Sequence, residues 1–179
     1  MNNVDLILVP FFEDSAREFH IRLLARKTSL NPNTVINITE KLVNDGLLLR
    51  RKDKETNRVL LKANFKSREF KLKKKFYNLK RIYDSGLIDY VEDQLSFPLV
   101  VLFGSFAKVE NHLESDLDLF ILADEKKKLN LKTFESKLGC EIQVFLHTKE
   151  EFKRLKKTNK ELVNNFINGE ILTGFLEAF

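Results

Sequence analysis

The spacing of hydrophobic positions changes several times along this chain, and each change predicts a different element. Residues 4–12, VDLILVPFF, are almost wholly apolar and predict a helix that Pro10 cuts short, because proline lacks the N–H a helix interior uses. Leu23, Leu24, Ala25 and Leu30 predict a second, short helix. Asn31 and Pro32 then read as the N-cap and first residue of a third. Its Val35, Ile38, Leu42 and Val43 recur every three to four positions, and Asp45-Gly46 ends it. LLLRR, the polar turn KDKETN and RVLLKA alternate as a β-hairpin does. Phe65, Leu72, Phe76, Leu79 and Tyr83 next form an apolar helical seam. Lys71, Lys73, Lys74, Lys75, Lys80 and Arg81 are assigned to the opposite face, and Gly86 breaks the helix before LIDYVEDQL.

From Phe97 the period shortens. PLVVLF is a continuous apolar run, the mark of a strand buried on both faces. Gly104-Ser105 follows, then FAKVENHL, long enough for one or two helical turns. SDLDLFIL is a second strand in which Leu117, Leu119 and Ile121 alternate with Asp116, Asp118 and Phe120. Alternation puts both aspartates on one face, about 6–7 Å apart at the rise of a strand. Aspartate is disfavoured in strands, and two like charges so close invite a hard divalent cation such as Mg²⁺. Gly104 lets a phosphate approach the backbone closely. Ser105 and the N–H groups after it offer donors to its oxygens. A third strand, CEIQVFLH, carries Glu141 and Gln143 on one side.

Composition narrows the partners. The net charge of +5 divides unevenly: residues 1–80 hold 18 Lys/Arg against 9 Asp/Glu, and residues 81–179 hold 13 against 17. A basic half suits a polyanion, and an acidic half suits a metal with a small ligand. No apolar run is long enough to span a membrane, and the N-terminal segment lacks the basic start of a signal peptide. The single cysteine, Cys140, has no internal disulfide partner, so a cytoplasmic location is expected. His20 opens a strand-to-helix junction, and none of the three histidines has metal-ligand spacing with another.

Two resemblances organise these readings into a mixed α+β chain. The order helix, helix-turn-helix, hairpin over residues 1–64 resembles a winged helix-turn-helix domain. That resemblance implies double-stranded DNA or RNA binding through residues 20–62. Asn33, Thr34, Asn37 and Lys41 would face bases, and Arg50, Arg51, Lys52, Lys54 and Arg58 of the wing would face phosphates. Residues 65–96 are then a helical connector, with homodimerisation as one use of its seam.

The second resemblance lies in GSFAKVENHLESDLDL. A Gly-Ser after a strand, followed by Ser115-Asp116-Leu117-Asp118, resembles the small minimal nucleotidyltransferases of the DNA polymerase beta-like superfamily. Residues 97–179 would form that domain around a small mixed sheet. The resemblance implies transfer of a nucleoside monophosphate from an NTP, ATP by expectation, to an acceptor hydroxyl of nucleic acid or protein. Gly104, Ser105, Lys108 and Ser115 would bind the nucleotide. Asp116 and Asp118 would hold two Mg²⁺ or Mn²⁺ ions, with Glu141 as a third catalytic carboxylate. Two departures stand out: Ala107-Lys108-Val109 replaces the usual Ala-Arg-Gly, and Gln143 falls at the usual acidic position. A winged-helix transcriptional regulator with a degenerate, nucleotide-sensing transferase domain is the competing expectation.

Overall fold

The computed structural model describes residues 2–175, in two compact units spanning Met1–Lys74 and Lys75–Phe179. The first unit runs α1 (Asn3–Glu13), β1 (Phe19–His20), α2 (Ile21–Thr28), α3 (Pro32–Asn44), β2 (Leu48–Lys52) and β3 (Val59–Ala63). β3 lies between β1 and β2 and is antiparallel to both.

Local chemistry sets these boundaries. The His20 imidazole accepts from Leu23 N, so one residue closes β1 and caps α2. Ser29 takes a left-handed turn at φ 57°, and Asn31 Oδ1 then accepts from Asn33 N to start α3 at Pro32. At the hairpin tip, Asp53 Oδ1 accepts from the amides of Glu55 and Thr56 and from the Thr56 hydroxyl.

α1 departs from expectation by running through Pro10 to Glu13. Ile7, Leu8, Phe11 and Phe12 are all buried, and their burial outweighs the one ladder bond that Pro10 cannot make. Phe11 meets Phe19 edge to face at 4.9 Å between centroids.

The seam of α4 (Arg68–Asp84) is a second correction. Phe70, Lys74, Asn78 and Ile82 are the buried positions, whereas Leu72, Phe76 and Tyr83 are exposed. The apolar period misled because two of the four inward residues are polar. Lys74 is fully buried, donates to Ser15 Oγ at 2.6 Å, and stands over the Phe65 ring. The unit boundary falls inside this helix.

After α5 (Leu87–Leu95), the second unit builds a sheet from β4 (Leu99–Phe103), β5 (Leu117–Leu122), β6 (Ile142–His147) and β7 (Glu170–Thr173), in the order β6-β5-β4-β7. β4 is antiparallel to β5 and β7, and β5 is parallel to β6. The short α6 (Gly104–Ala107) follows β4, α7 (Lys132–Leu138) supplies the crossover to β6, and α8 (Lys149–Thr158) and α9 (Lys160–Ile167) lead to β7. Val100, Leu102, Leu117, Leu119 and Ile121 pack on one face with Ile82, Leu87, Ile88, Val91 and Leu95. On the other, Leu99, Val101, Phe103 and Phe120 pack with Phe152, Val163 and Phe166. β4 is buried on both faces as its unbroken apolar run requires. β7 completes the sheet as a four-residue edge strand beside β4. Among the described residues no helix is long and apolar enough to cross a membrane.

Burial lowers the Lys74 ammonium from its ordinary 10.5 to about 8. The unfolded chain therefore holds a proton that the folded chain releases between those values, and stability rises with pH across that window. Urea unfolding should show the wild type gaining up to about 3 kcal/mol between pH 8 and 10.5 relative to Lys74→Met. Parallel pH profiles for the two proteins would refute this account of Lys74.

Candidate active site

β4 and β5 pair so that Phe103 lies opposite Asp118, which brings the turn after β4 against the start of β5. Gly104 sits in that turn at φ 67°. A side chain there would place its Cβ 2.1 Å from Asp118 Oδ2, so the carboxylate occupies the space that glycine leaves free. Glycine is needed twice over, for the left-handed backbone and for the absent Cβ.

Asp116 and Asp118 emerge on the same side of the strand, while Leu117 and Leu119 go into the core. Both aspartates are half-buried. Burial raises the carboxyl of Asp118 above the ordinary range, and the charge of Asp116 adds to the rise. An incoming positive charge at this pair would relieve both effects. β6 runs beside β5 with Gln143 opposite Asp118, and Gln143 Nε2 donates to Asp116 Oδ2 at 2.6 Å. Sequence reasoning placed Gln143 at this position and missed the bond it makes. Among the described residues no three His, Cys, Asp or Glu side chains form a metal-binding group. Glu141 is exposed, and its backbone carbonyl accepts from Leu117 N at 2.8 Å.

The remaining turn residues divide between display and scaffolding. α6 has Phe103 as its N-cap, so no side chain caps its first amides. Lys108 ends that helix and is exposed. Ser115 is buried and its hydroxyl accepts from His112 N at 2.9 Å, closing the loop before Asp116. The Ser105 carbonyl accepts from Glu110 N and Asn111 N. Asn111 Oδ1 in turn accepts from Asn78 Nδ2 at 2.8 Å, with both residues buried. This brace escaped sequence analysis, whose only available signal was an asparagine at an apolar helical spacing.

Val109 answers the question raised by the missing family glycine. Its φ is 62°, a backbone that β-branched residues rarely adopt, and its side chain is buried. The turn keeps the geometry that glycine would take freely, at a strain cost of about 1–3 kcal/mol.

In the first unit, Asn33, Asn37 and Lys41 form one exposed row on α3, with Thr34 half-buried beside them. Arg50, Lys52, Lys54 and Arg58 are exposed along the hairpin. Arg51 differs, because its guanidinium forks onto both oxygens of Glu18, which lowers the Glu18 carboxyl.

Two carboxylates are the right chemistry for a hard divalent cation, which uses few protein oxygens and takes others from phosphate and water. They supply two anionic donors, and Gln143 supplies an amide in place of a third. The donor set fits one cation held by Asp116 and Asp118.

Residues 85–174 match the family described as "Polymerase beta, Nucleotidyltransferase". No curated protein and no solved structure compared with the chain matched it.

Two stability measurements follow. Gly104→Ala should cost about 1–3 kcal/mol in wild-type background and visibly less in an Asp118→Ala background, where the opposing carboxylate is gone. Additive losses in that cycle would contradict the packing described. At the next turn, Val109→Gly should be more stable than Val109→Ala by about 0.5–1 kcal/mol, the reverse of the ordinary order. Thermal unfolding of both variants decides it, and an alanine variant that is the more stable would refute the strain.

Proposed function

We infer a function from one premise: this chain belongs to the polymerase beta nucleotidyltransferase family. Its second unit transfers a nucleoside monophosphate from a nucleoside triphosphate, ATP by expectation, to an acceptor hydroxyl on nucleic acid or protein. The observation that carries this reading is the contact of Asp118 with Gly104, which makes the carboxylates and the phosphate turn a single site.

In that site the Gly104-Ser105 turn and the uncapped amides of α6 receive phosphate oxygens. Lys108 adds a positive charge on the exposed side, and Ser115 keeps the loop closed ahead of Asp116. Asp116 and Asp118 hold Mg²⁺ or Mn²⁺, which when bound neutralises triphosphate charge. Glu141 lies two residues before Gln143 on the same side of the chain and is the available carboxylate for the acceptor.

The first unit is read as a winged helix-turn-helix that brings the transferase to double-stranded DNA or RNA. Its element order, its antiparallel three-stranded sheet and the exposed row Asn33, Asn37 and Lys41 support that reading. Arg50, Lys52, Lys54 and Arg58 serve phosphates, and Arg51 serves the fold through Glu18. Exposed Leu72 and Phe76 on α4 favour a homodimer.

One observation favours a second reading. Gln143 cannot accept a proton from the acceptor hydroxyl, and its amide already engages Asp116. A regulator that binds nucleotide without transferring it accommodates this substitution directly.

Incubation with labelled triphosphates, Mn²⁺ or Mg²⁺ and RNA or protein acceptors separates the readings. Asp116→Asn and Asp118→Asn should each abolish transfer. Gln143→Asp should raise transfer by about 10²-fold or more if a base is what the site lacks. Absence of transfer by both wild type and Gln143→Asp, alongside nucleotide binding, would overturn the enzyme reading in favour of the sensor.

A further inference from the structure

We propose that the second unit carries a separate surface for single-stranded nucleic acid. It is a groove of about 360 Å³ bordered by Phe97, Phe175 and three of the four lysines of α8. The groove opens where Leu99 of β4 pairs with Leu122 of β5. Gly104 and Asp118 lie at the other end of those strands, so this surface is distinct from the site above.

Its walls are aromatic and held open. Ser96 and Phe97 both adopt left-handed backbone, at φ 54° and 60°, and the Phe97 side chain is left 84% exposed. The left-handed backbone ends α5, with Phe97 N donating to Glu92 O at 3.2 Å, but that turn gives no reason for an aromatic ring left in solvent there. Phe175 is 76% exposed on the same groove. Gly174 places it there, since a Cβ on that glycine would meet Leu99 Cα and Pro98 O at 2.8 Å. The floor beneath is apolar, formed by Leu99, Leu122 and Phe152.

Its rim is basic. Lys149, Lys153 and Lys156 are spaced four and three residues apart and so share one face of α8. They span about 10 Å along the helix axis, room for about three nucleotides at the rise of a stacked strand. Lys149 meets Asp124 at 3.1 Å with both side chains largely exposed, a pair weak enough to yield to a phosphate. Lys156 stands over the Phe152 ring.

Solvent-facing rings beside a row of cations are the two elements of single-strand recognition: bases stack on the rings, and phosphates follow the charges. Duplex DNA offers phosphates without free base faces. An acidic peptide would use the lysines but would leave two exposed rings without a purpose. The chemistry favours an unpaired strand, bound without strong sequence preference.

Fluorescence anisotropy of the full chain with a labelled oligo(U) decamer tests the proposal, with an RNA duplex of equal length as control. Lys149→Gln/Lys153→Gln/Lys156→Gln should weaken decamer binding by at least about 10-fold and leave duplex binding unchanged. Phe97→Ala should weaken it by about 5-fold or more, and Phe97→Trp should restore it. These side chains are exposed, and unchanged thermal unfolding of each variant confirms an intact fold. Asp116→Asn/Asp118→Asn should bind the decamer as wild type does, so failure of transfer chemistry and failure of this surface are read separately. The proposal is overturned if wild type does not bind the decamer, or if the groove variants bind it normally. It is also overturned if only hairpin substitutions at Arg50, Lys52, Lys54 and Arg58 remove binding, or if a Glu/Phe peptide occupies the groove more tightly than the decamer.

Discussion

The carboxylate of Asp118 fills the space beside Cα of Gly104, and the geometry of the candidate site depends on that contact. It requires the antiparallel register in which Phe103 faces Asp118, and it requires a residue without Cβ at a left-handed φ. The register is itself enforced by burial. β4 is covered on both faces, so a slip of one residue would exchange the side chains of two different cores. A two-sided apolar strand is thus what allows a half-buried carboxylate to be positioned beside another one. The electrostatic cost remains visible in the raised proton affinity of Asp118.

That sheet also gathers a cluster of phenylalanines. Phe120 stacks on Phe166 at 4.1 Å, Phe152 tilts against Phe120, and Phe103 meets Phe166 edge to face. These rings join β4 and β5 to α8 and α9, so the helix bearing the three lysines is fixed to the strands bearing the two aspartates. Phe97 and Phe175 stand outside this arrangement, and their exposure marks them off from the core-filling rings. A sheet gripped by aromatics from one side presents different chemistry at its two ends.

Much of the fold was legible because its signals are local. Asn31-Pro32 and Asp45-Gly46 act within a few residues, and each starts or stops an element where expected. The alternation of SDLDLFIL likewise carries its own geometry. What escaped depends on distant partners. Lys74 reads as a surface lysine until Ser15, fifty-nine residues away, receives it. Asn78 carries no local signal of its buried place until Asn111 meets it. β7 is a strand because β4 offers an edge, which no local pattern in GEILT announces. At the site, spacing placed Asp116 and Asp118 on one face, whereas the bond from Gln143 required the parallel register of β6.

Gln143 changes what the site needs in order to fold. An acidic residue there would put a third negative charge beside two that already repel, and such a cluster leans on cations for stability. An amide presents an N–H to Asp116 instead, satisfying one oxygen without adding charge. Asp118 is left as the group that most favours an incoming cation, since burial and its neighbour both oppose its ionised form. The substitution therefore lowers dependence on metal for structure while preserving a reason to bind it. The same amide cannot take a proton at position 143, and this is the residue on which the proposed transferase and the nucleotide-sensing reading part.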